Sequence, residues 1–255
     1  MRLDGRTIVV TGATSGIGLG VLRAAVEAGA RAFGTYRRPG SEAPIVESGG
    51  RALRADVTDV DALTAAIAGA RETTGRLDGL VSNAGLTLTA PFLEAEPEMW
   101  ETLWRTNQRS VLAGCQAAAH IMAADGTRGS LVNVSSVHAR ASDHGYEGYA
   151  ATKGAITAMT RAMAWSLGDL GIRANALSPG LTMTETVAEA ARDGGTDALF
   201  RSWHADGTVT AVDEVARLAV FLLSDDAAAL TGAEIVADKG TTARLGNVGG
   251  TGGQP

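Results

Sequence analysis

Short β-branched apolar blocks and longer alanine-rich stretches alternate along the chain. Residues 7–11 (TIVVT) form an apolar block bounded by Gly5 and Gly12. Such a block predicts a strand buried on both faces, as in a parallel sheet. Further strands are predicted at 30–36, where Gly34 weakens the pattern, and at 52–56, 77–83, 130–135, 172–177 and 234–237. Helical patterns lie between them at 19–28, 61–73, 97–124, 149–170 and 212–223. Pro97 stands at a first helical position, where its missing N–H costs nothing. Strand and helix alternating in this way call for the α/β class: a doubly wound, Rossmann-type parallel sheet with right-handed crossovers and helices on both faces.

No internal repeat or linker divides the chain, so residues 1–240 read as a single domain. The segment 181–206 is long for a strand-to-helix connection and predicts a lid or a small helical insert. From Gly240 onward the sequence carries six glycines and few apolar anchors. Residues 241–255 are therefore expected to form a loose tail.

Composition narrows the function classes. At 255 residues, with 45% hydrophobic and 20% charged side chains, the chain suits one folded domain rather than a disordered one. No apolar run approaches the roughly 18 residues of a membrane helix. A single cysteine, Cys115, excludes an intrachain disulfide and a cysteine zinc site. The formal charge of −6 argues against a non-specific nucleic-acid binder. The first residues enter a strand directly, with no signal-peptide pattern. The expectation is a cytoplasmic protein without a membrane or nucleic-acid partner. No His, Asp and Glu cluster has metal-ligand spacing, so no metal is expected.

The first strand runs into Thr11-Gly12-Ala13-Thr14-Ser15-Gly16-Ile17-Gly18. Glycines at that edge let backbone approach a pyrophosphate, and a following helix N-terminus offers free N–H groups. The glycine order differs from the usual G-x-G-x-x-G, and a glycine turn alone can be purely structural. Asp56-Val57 and Asn83-Ala84-Gly85 end two other strands on the same edge. Three such turns on one edge look like a dinucleotide site.

Tyr149 and Lys153 stand four residues apart, on one helix face. Lys153 and Lys239 are the only lysines among 22 Lys plus Arg, which makes a chance surface pair a poor explanation. A nearby cation is expected to lower the tyrosine pKa towards neutrality, so that the phenol can exchange a proton with an alcohol or ketone oxygen. Ser136, at the end of a strand on the same edge, could hold a substrate oxygen; a turn or helix cap is the plainer reading of that serine alone.

Taken together, these residues resemble the classical short-chain dehydrogenase/reductase family over about residues 3–240. The matching elements are Thr11-Gly-x-x-x-Gly16-x-Gly18, Asp56-Val57, Asn83-Ala84-Gly85, Asn107, Ser136, Tyr149-x-x-x-Lys153 and Pro179-Gly180. The resemblance implies an oxidoreductase with Tyr149 as general acid/base, Lys153 tuning it and binding the nicotinamide ribose, and Ser136 positioning substrate. Asn107 would order a water leading from Lys153. Gly12, Thr14, Ser15, Gly16, Ile17 and Gly18 would cradle the cofactor; Asp56 and Val57 would meet its adenine. Asn83, Ala84 and Gly85 would line its channel, and Pro179, Gly180, Thr182 and Thr184 would approach the nicotinamide.

Tyr36, Arg37 and Arg38 end the second strand where NAD enzymes carry an acidic residue. Two arginines suit a 2′-phosphate, so NADP(H) is the expected cofactor, although a solvated arginine pair is open and NAD(H) stays possible. Family NADP enzymes often add a basic residue in the glycine turn; here that position is Ser15. The substrate is expected to be a small ketone or alcohol. His138, His144, Tyr146 and Trp203 are candidate substrate contacts, bordered by residues 86–91, 137–146 and 181–206. An NAD(H)-dependent dehydrogenase of a polyol, sterol or hydroxy acid and a non-catalytic dinucleotide-binding regulator are the alternatives. Relatives are often oligomers, so a homotetramer or dimer through helices 97–124 and 149–170 is expected. Lys239 replaces a glycine usual in the family, which is expected to alter a subunit contact.

Overall fold

In the computed structural model, which describes residues 1–244, the strands form one parallel sheet of seven. They are β1 (Thr7–Val10), β2 (Arg31–Tyr36), β3 (Arg51–Arg54), β4 (Gly79–Ser82), β5 (Ser130–Val134), β6 (Arg173–Pro179) and β9 (Glu234–Ala237), in the order β3-β2-β1-β4-β5-β6-β9. The order reverses between β1 and β4. A crevice therefore opens at the carboxyl ends of those two strands, where α/β sheets bind ligands.

Side-chain alternation within β1 divides the core. Ile8 and Val10 point to one face with Val21 and Leu22 of α1 (Gly16–Glu27) and Ala219 and Leu223 of α9 (Val212–Leu223). Val9 points to the other, against Leu63 and Ile67 of α3 (Val60–Thr74), Met122 of α5 (Ser110–Asp125) and Ile156 of α6 (Glu147–Gly168). Both faces of the sheet are thus dry, which is why the strands read as continuous apolar runs.

Two elements depart from the expected pattern. A short helix, α2 (Ala43–Glu47), occupies what reads as loop, with Ile45 buried. The expected continuous helix 97–124 is broken instead: α4 (Pro97–Leu103) passes into a π-helical stretch, Trp104–Arg109, before α5 begins. Asn107 lies in that stretch, fully buried, and its side chain is committed to the main chain of Leu86. Packing of this one side chain, rather than any helix breaker in the sequence, accompanies the insertion.

The segment 181–206 contains β7 (Thr182–Met183), α7 (Glu185–Gly194) and α8 (Asp197–Ser202). β7 pairs in parallel with β8 (Thr210–Ala211) as a separate two-stranded ribbon. Of the expected tail 241–255, only its first residues are described, and they are held to Asp238. The buried Asp238 carboxylate accepts from the main-chain N–H of Gly240 and Thr242 and from the Thr242 hydroxyl, and Thr241–Ala243 form a 3-10 turn. Residues 245–255 lie outside the described residues. Lys239 turns inward within its own chain. At φ +47° it is the only non-glycine residue with positive φ among the described residues. Its ammonium donates to Thr208 Oγ1 at 2.7 Å and pairs with Glu214 at 3.1 Å. Among the described residues, no helix is long and apolar enough to cross a membrane.

Candidate active site

A cleft of about 1210 Å³ opens along the carboxyl edge of the sheet. Its floor at one end is the turn after β1. Gly12 has φ +64°, and a Cβ there would lie 2.9 Å from Ala84 Cα. A Cβ at Gly18 would come within 2.3 Å of the Gly12 carbonyl oxygen and 2.4 Å of Asn83 Nδ2. Only a bare backbone fits there. Thr11 ties the two turns together: its Oγ1 accepts from the main-chain N–H of Asn83 and Ala84, both at 3.0 Å. Asn83 Nδ2 donates back to the carbonyls of Thr11 and Gly12. Ser15, the N-cap of α1, makes no side-chain cap bond. The first N–H groups of α1 are therefore not taken by the usual cap and can serve an anion. This cradle fits the pyrophosphate of a dinucleotide.

Thr14, Ser15, Ile17, Tyr36, Arg37, Asp56, Val57, Asn83, Ala84 and Gly85 line the same cleft, with Pro179, Gly180, Thr182 and Thr184 along the opposite bank. Asp56 is turned into its own loop, accepting from the Thr58 N–H and hydroxyl at 2.9 and 2.8 Å. Gly16 opens α1 opposite Thr184 and lies behind the lining rather than in it. Arg38 is exposed and does not line the cleft, and its carbonyl accepts from Ser41 in a turn. Arg37 alone of the pair faces the cofactor end.

At the other end α6 presents Tyr149 and Lys153, and the loop after β5 presents Ser136. The Lys153 side chain is buried, and Nζ donates to the Val134 carbonyl at 3.0 Å. Burial pushes its pKa down to about 8. The expected lowering of the tyrosine pKa by this cation is not found. Burial moves Tyr149 above its ordinary value, opposed by hydrogen bonding with the Ser136 and Thr87 hydroxyls. The ammonium lies 5.6 Å from the ring centroid. Removing water from the phenol disfavours the charged phenolate.

Asn107 stands behind these groups and does not line the cleft. Its Oδ1 accepts from Leu86 N–H and its Nδ2 donates to the Leu86 carbonyl, each at 2.8 Å, and more weakly to Thr152 Oγ1. Both Nδ2 protons are thereby used, while Oδ1 keeps one acceptor site.

Of the four substrate candidates, His138, Tyr146 and Trp203 line the cleft, the first two with ring centroids 5.5 and 6.3 Å from that of Tyr149. His144 does not: its side chain is 97% exposed and hydrogen-bonds the neighbouring Asp143 in solvent. Gly145, at φ +80°, turns the chain there and sends His144 outward. Thr87 and Ser142, from the segments 86–91 and 137–146 expected to border the substrate, also line the cleft, as do Thr241, Thr242 and Arg244, which do not stand out in the sequence. Thr87 carried a readable signal, two residues beyond Asn83-Ala84-Gly85; the turn at 241–244 carried none beyond Asp238. No group of three or more His, Cys, Asp or Glu among the described residues could hold a metal ion.

Comparison with known proteins agrees with this geometry. The family model described as enoyl-(acyl carrier protein) reductase matches residues 12–242. The D-threitol dehydrogenase of Mycolicibacterium smegmatis is 34% identical over 247 residues, which cover 94% of this chain and 94% of that protein. Carbonyl reductase (NADPH) 2 of Sus scrofa is 32% identical, covering 94% of this chain and 98% of the relative. A short-chain type dehydrogenase/reductase from Mycobacterium ulcerans superposes with a TM-score of 0.90 at 31% identity, covering 96% of this chain and 93% of that one. With a Rossmann-type sheet and a dinucleotide cradle in place, the chain belongs to the classical short-chain dehydrogenase/reductase family. It is an oxidoreductase of that family, which binds nicotinamide dinucleotides.

Proposed function

We propose that the protein interconverts a carbonyl and a secondary alcohol by hydride transfer, prefers NADP(H), and uses Tyr149 as its general acid and base. The observation that carries this reading is the convergence of Tyr149, Ser136 and Lys153 at one end of a cleft whose other end is a phosphate cradle. The nicotinamide supplies or accepts the hydride when bound. Gly12, Ser15, Ile17 and Gly18 hold its pyrophosphate, and Thr182 and Thr184 border its nicotinamide end. Ser136 holds the substrate oxygen. Tyr149 gives that oxygen a proton in reduction and takes it back in oxidation. A buried, protonated phenol is suited to the donating role near neutral pH, which favours reduction there. Lys153 positions the ribose and is the group next behind the phenol for proton supply.

Arg37 at the end of β2, with no acidic side chain at 36 or 37, supports a 2′-phosphate and hence NADP(H). The named carbonyl reductase relative is itself an NADPH enzyme. Residues 1–240 act as one catalytic domain, with α7 and α8 as the lid. A homo-oligomer through the helices at 97–125 and 147–168 is supported by Trp100, Trp104, Leu112 and Trp165, all exposed apolar side chains on those helices.

The test is a panel of ketones and secondary alcohols followed by nicotinamide absorbance with both cofactors. Reduction of at least one ketone class with a higher kcat/KM for NADPH is expected. No turnover across the panel refutes the activity, and a clear preference for NADH refutes the cofactor assignment.

A further inference from the structure

The wall beside Tyr149 carries an imidazole held in a fixed pose. His138, two residues beyond Ser136, stacks on Tyr146 with ring centroids 4.5 Å apart and planes 17° from parallel. It meets Tyr149 edge-on at 5.5 Å and 77°. Those two rings set the plane of the imidazole. Ser142 sets its rotation, because its Oγ lies 2.9 Å from Nδ1. Nε2 then remains as the polar atom of the ring without a hydrogen-bond partner among the described residues, and the residue lines the cleft. Burial holds the ring below its ordinary pKa, with Asp143 opposing, so the imidazole is neutral near pH 7. A neutral imidazole with one nitrogen engaged offers the other as a single, directed hydrogen-bonding atom.

The position of this atom limits what it can meet. On the reading above Ser136 and Tyr149 hold the reacting oxygen, and His138 adjoins both: its main-chain N–H donates to Ser136 Oγ at 3.2 Å and its ring meets that of Tyr149. A group in reach of His138 is therefore attached next to the reacting carbon, not at the far end of a long substrate. The Thr87 and Ser142 hydroxyls lie in the same wall. A wholly hydrocarbon substrate would cover Nε2 without satisfying it, which costs binding energy.

We propose that the substrate is an α-hydroxy ketone, or the corresponding vicinal diol, whose second oxygen is held by His138 Nε2 while the first lies between Ser136 and Tyr149. His138 is then a specificity-determining residue. This rests on the carbonyl–alcohol reading above and narrows it to one substrate class.

The experiment compares acetoin with butanone, which differ by one hydroxyl beside the carbonyl, in wild type, His138→Phe and His138→Gln. Phenylalanine keeps the stack on Tyr146 and removes the hydrogen bond; glutamine restores a polar atom. Wild type is expected to favour acetoin by about tenfold in kcat/KM, the worth of one good hydrogen bond. That ratio falls to near unity in His138→Phe and partly returns in His138→Gln. Should His138→Phe fail to fold, Ser142→Ala, which frees the imidazole to rotate, is expected to lower the same ratio. Equal use of both ketones by wild type overturns the inference and leaves the carbonyl–alcohol activity standing. An acetoin preference that survives both His138→Phe and Ser142→Ala also overturns it. No turnover of either ketone, nor of any other in the panel, removes the underlying activity itself.

Discussion

Lys153 stands one helical turn beyond Tyr149, yet its ammonium bonds to the Val134 carbonyl at 3.0 Å and lies 5.6 Å from the centre of the tyrosine ring. The pair shares a helix face without forming a direct ion-to-phenol bond. Each group is instead governed by burial, which moves the two pKa values apart: the lysine falls and the tyrosine rises.

Tyr149→Phe removes the only atom proposed to exchange a proton with substrate. We expect kcat to fall by about 10²–10⁴-fold, the usual worth of a positioned general acid. Circular dichroism should stay native, since only a hydroxyl is lost. Near wild-type turnover in a folded variant would refute the assignment.

Lys153 makes stability depend on pH in a definite direction. The unfolded side chain keeps its proton up to about pH 10.5, whereas the folded one releases it near 8. Between those values the unfolded state binds more protons, so the contribution of this residue to stability rises with pH. Relative to Lys153→Met, wild type should gain up to about 3 kcal/mol between pH 8 and 10.5. Urea melts of both proteins across that range check it. The Cys115 thiol, pushed up to about 12 by burial, acts the other way above pH 9 but is common to both proteins.

The two adjacent arginines should behave unequally. Arg37 lines the cleft and Arg38 does not. Arg37→Ala is expected to lower kcat/KM with NADPH by about 10- to 100-fold, as loss of a charge-assisted hydrogen bond does. Arg38→Ala should change it less than about threefold. Similar losses in the two variants would contradict the assignment of Arg37.

Gly18→Ala should damage the cradle. The new methyl would sit 2.3 Å from the Gly12 carbonyl oxygen, a backbone atom that cannot move aside alone. About 1–3 kcal/mol of stability is expected to be lost, together with at least tenfold weaker cofactor binding by fluorescence titration.

The apolar runs and the residues of the two ends of the cleft were readable from sequence because each is locally specified. β1 announces itself as four buried residues, and Tyr149 and Lys153 meet through helix periodicity alone. What could not be read depends on contacts between distant segments. His138 and His144 lie in one loop with similar neighbours; only the turn at Gly145 and the stack on Tyr146 separate the inward one from the exposed one. Arg37 and Arg38 are distinguished only by where β2 ends and the next turn begins. Burial of the phenol, which reverses the expected direction of its pKa, is the sum of walls from several elements and leaves no local trace.

The π-helical stretch at Trp104–Arg109 acts as a phase adjuster between two halves of one rod. Each residue in an ordinary helix advances the side-chain direction by about 100°. The wider turn allows Asn107 to face Leu86 while Val111, Cys115 and Met122 downstream still face the sheet. Deleting a single residue from this stretch would straighten the rod and leave those two requirements out of step: either the amide swings away from Leu86, or the buried face of α5 rotates off the sheet.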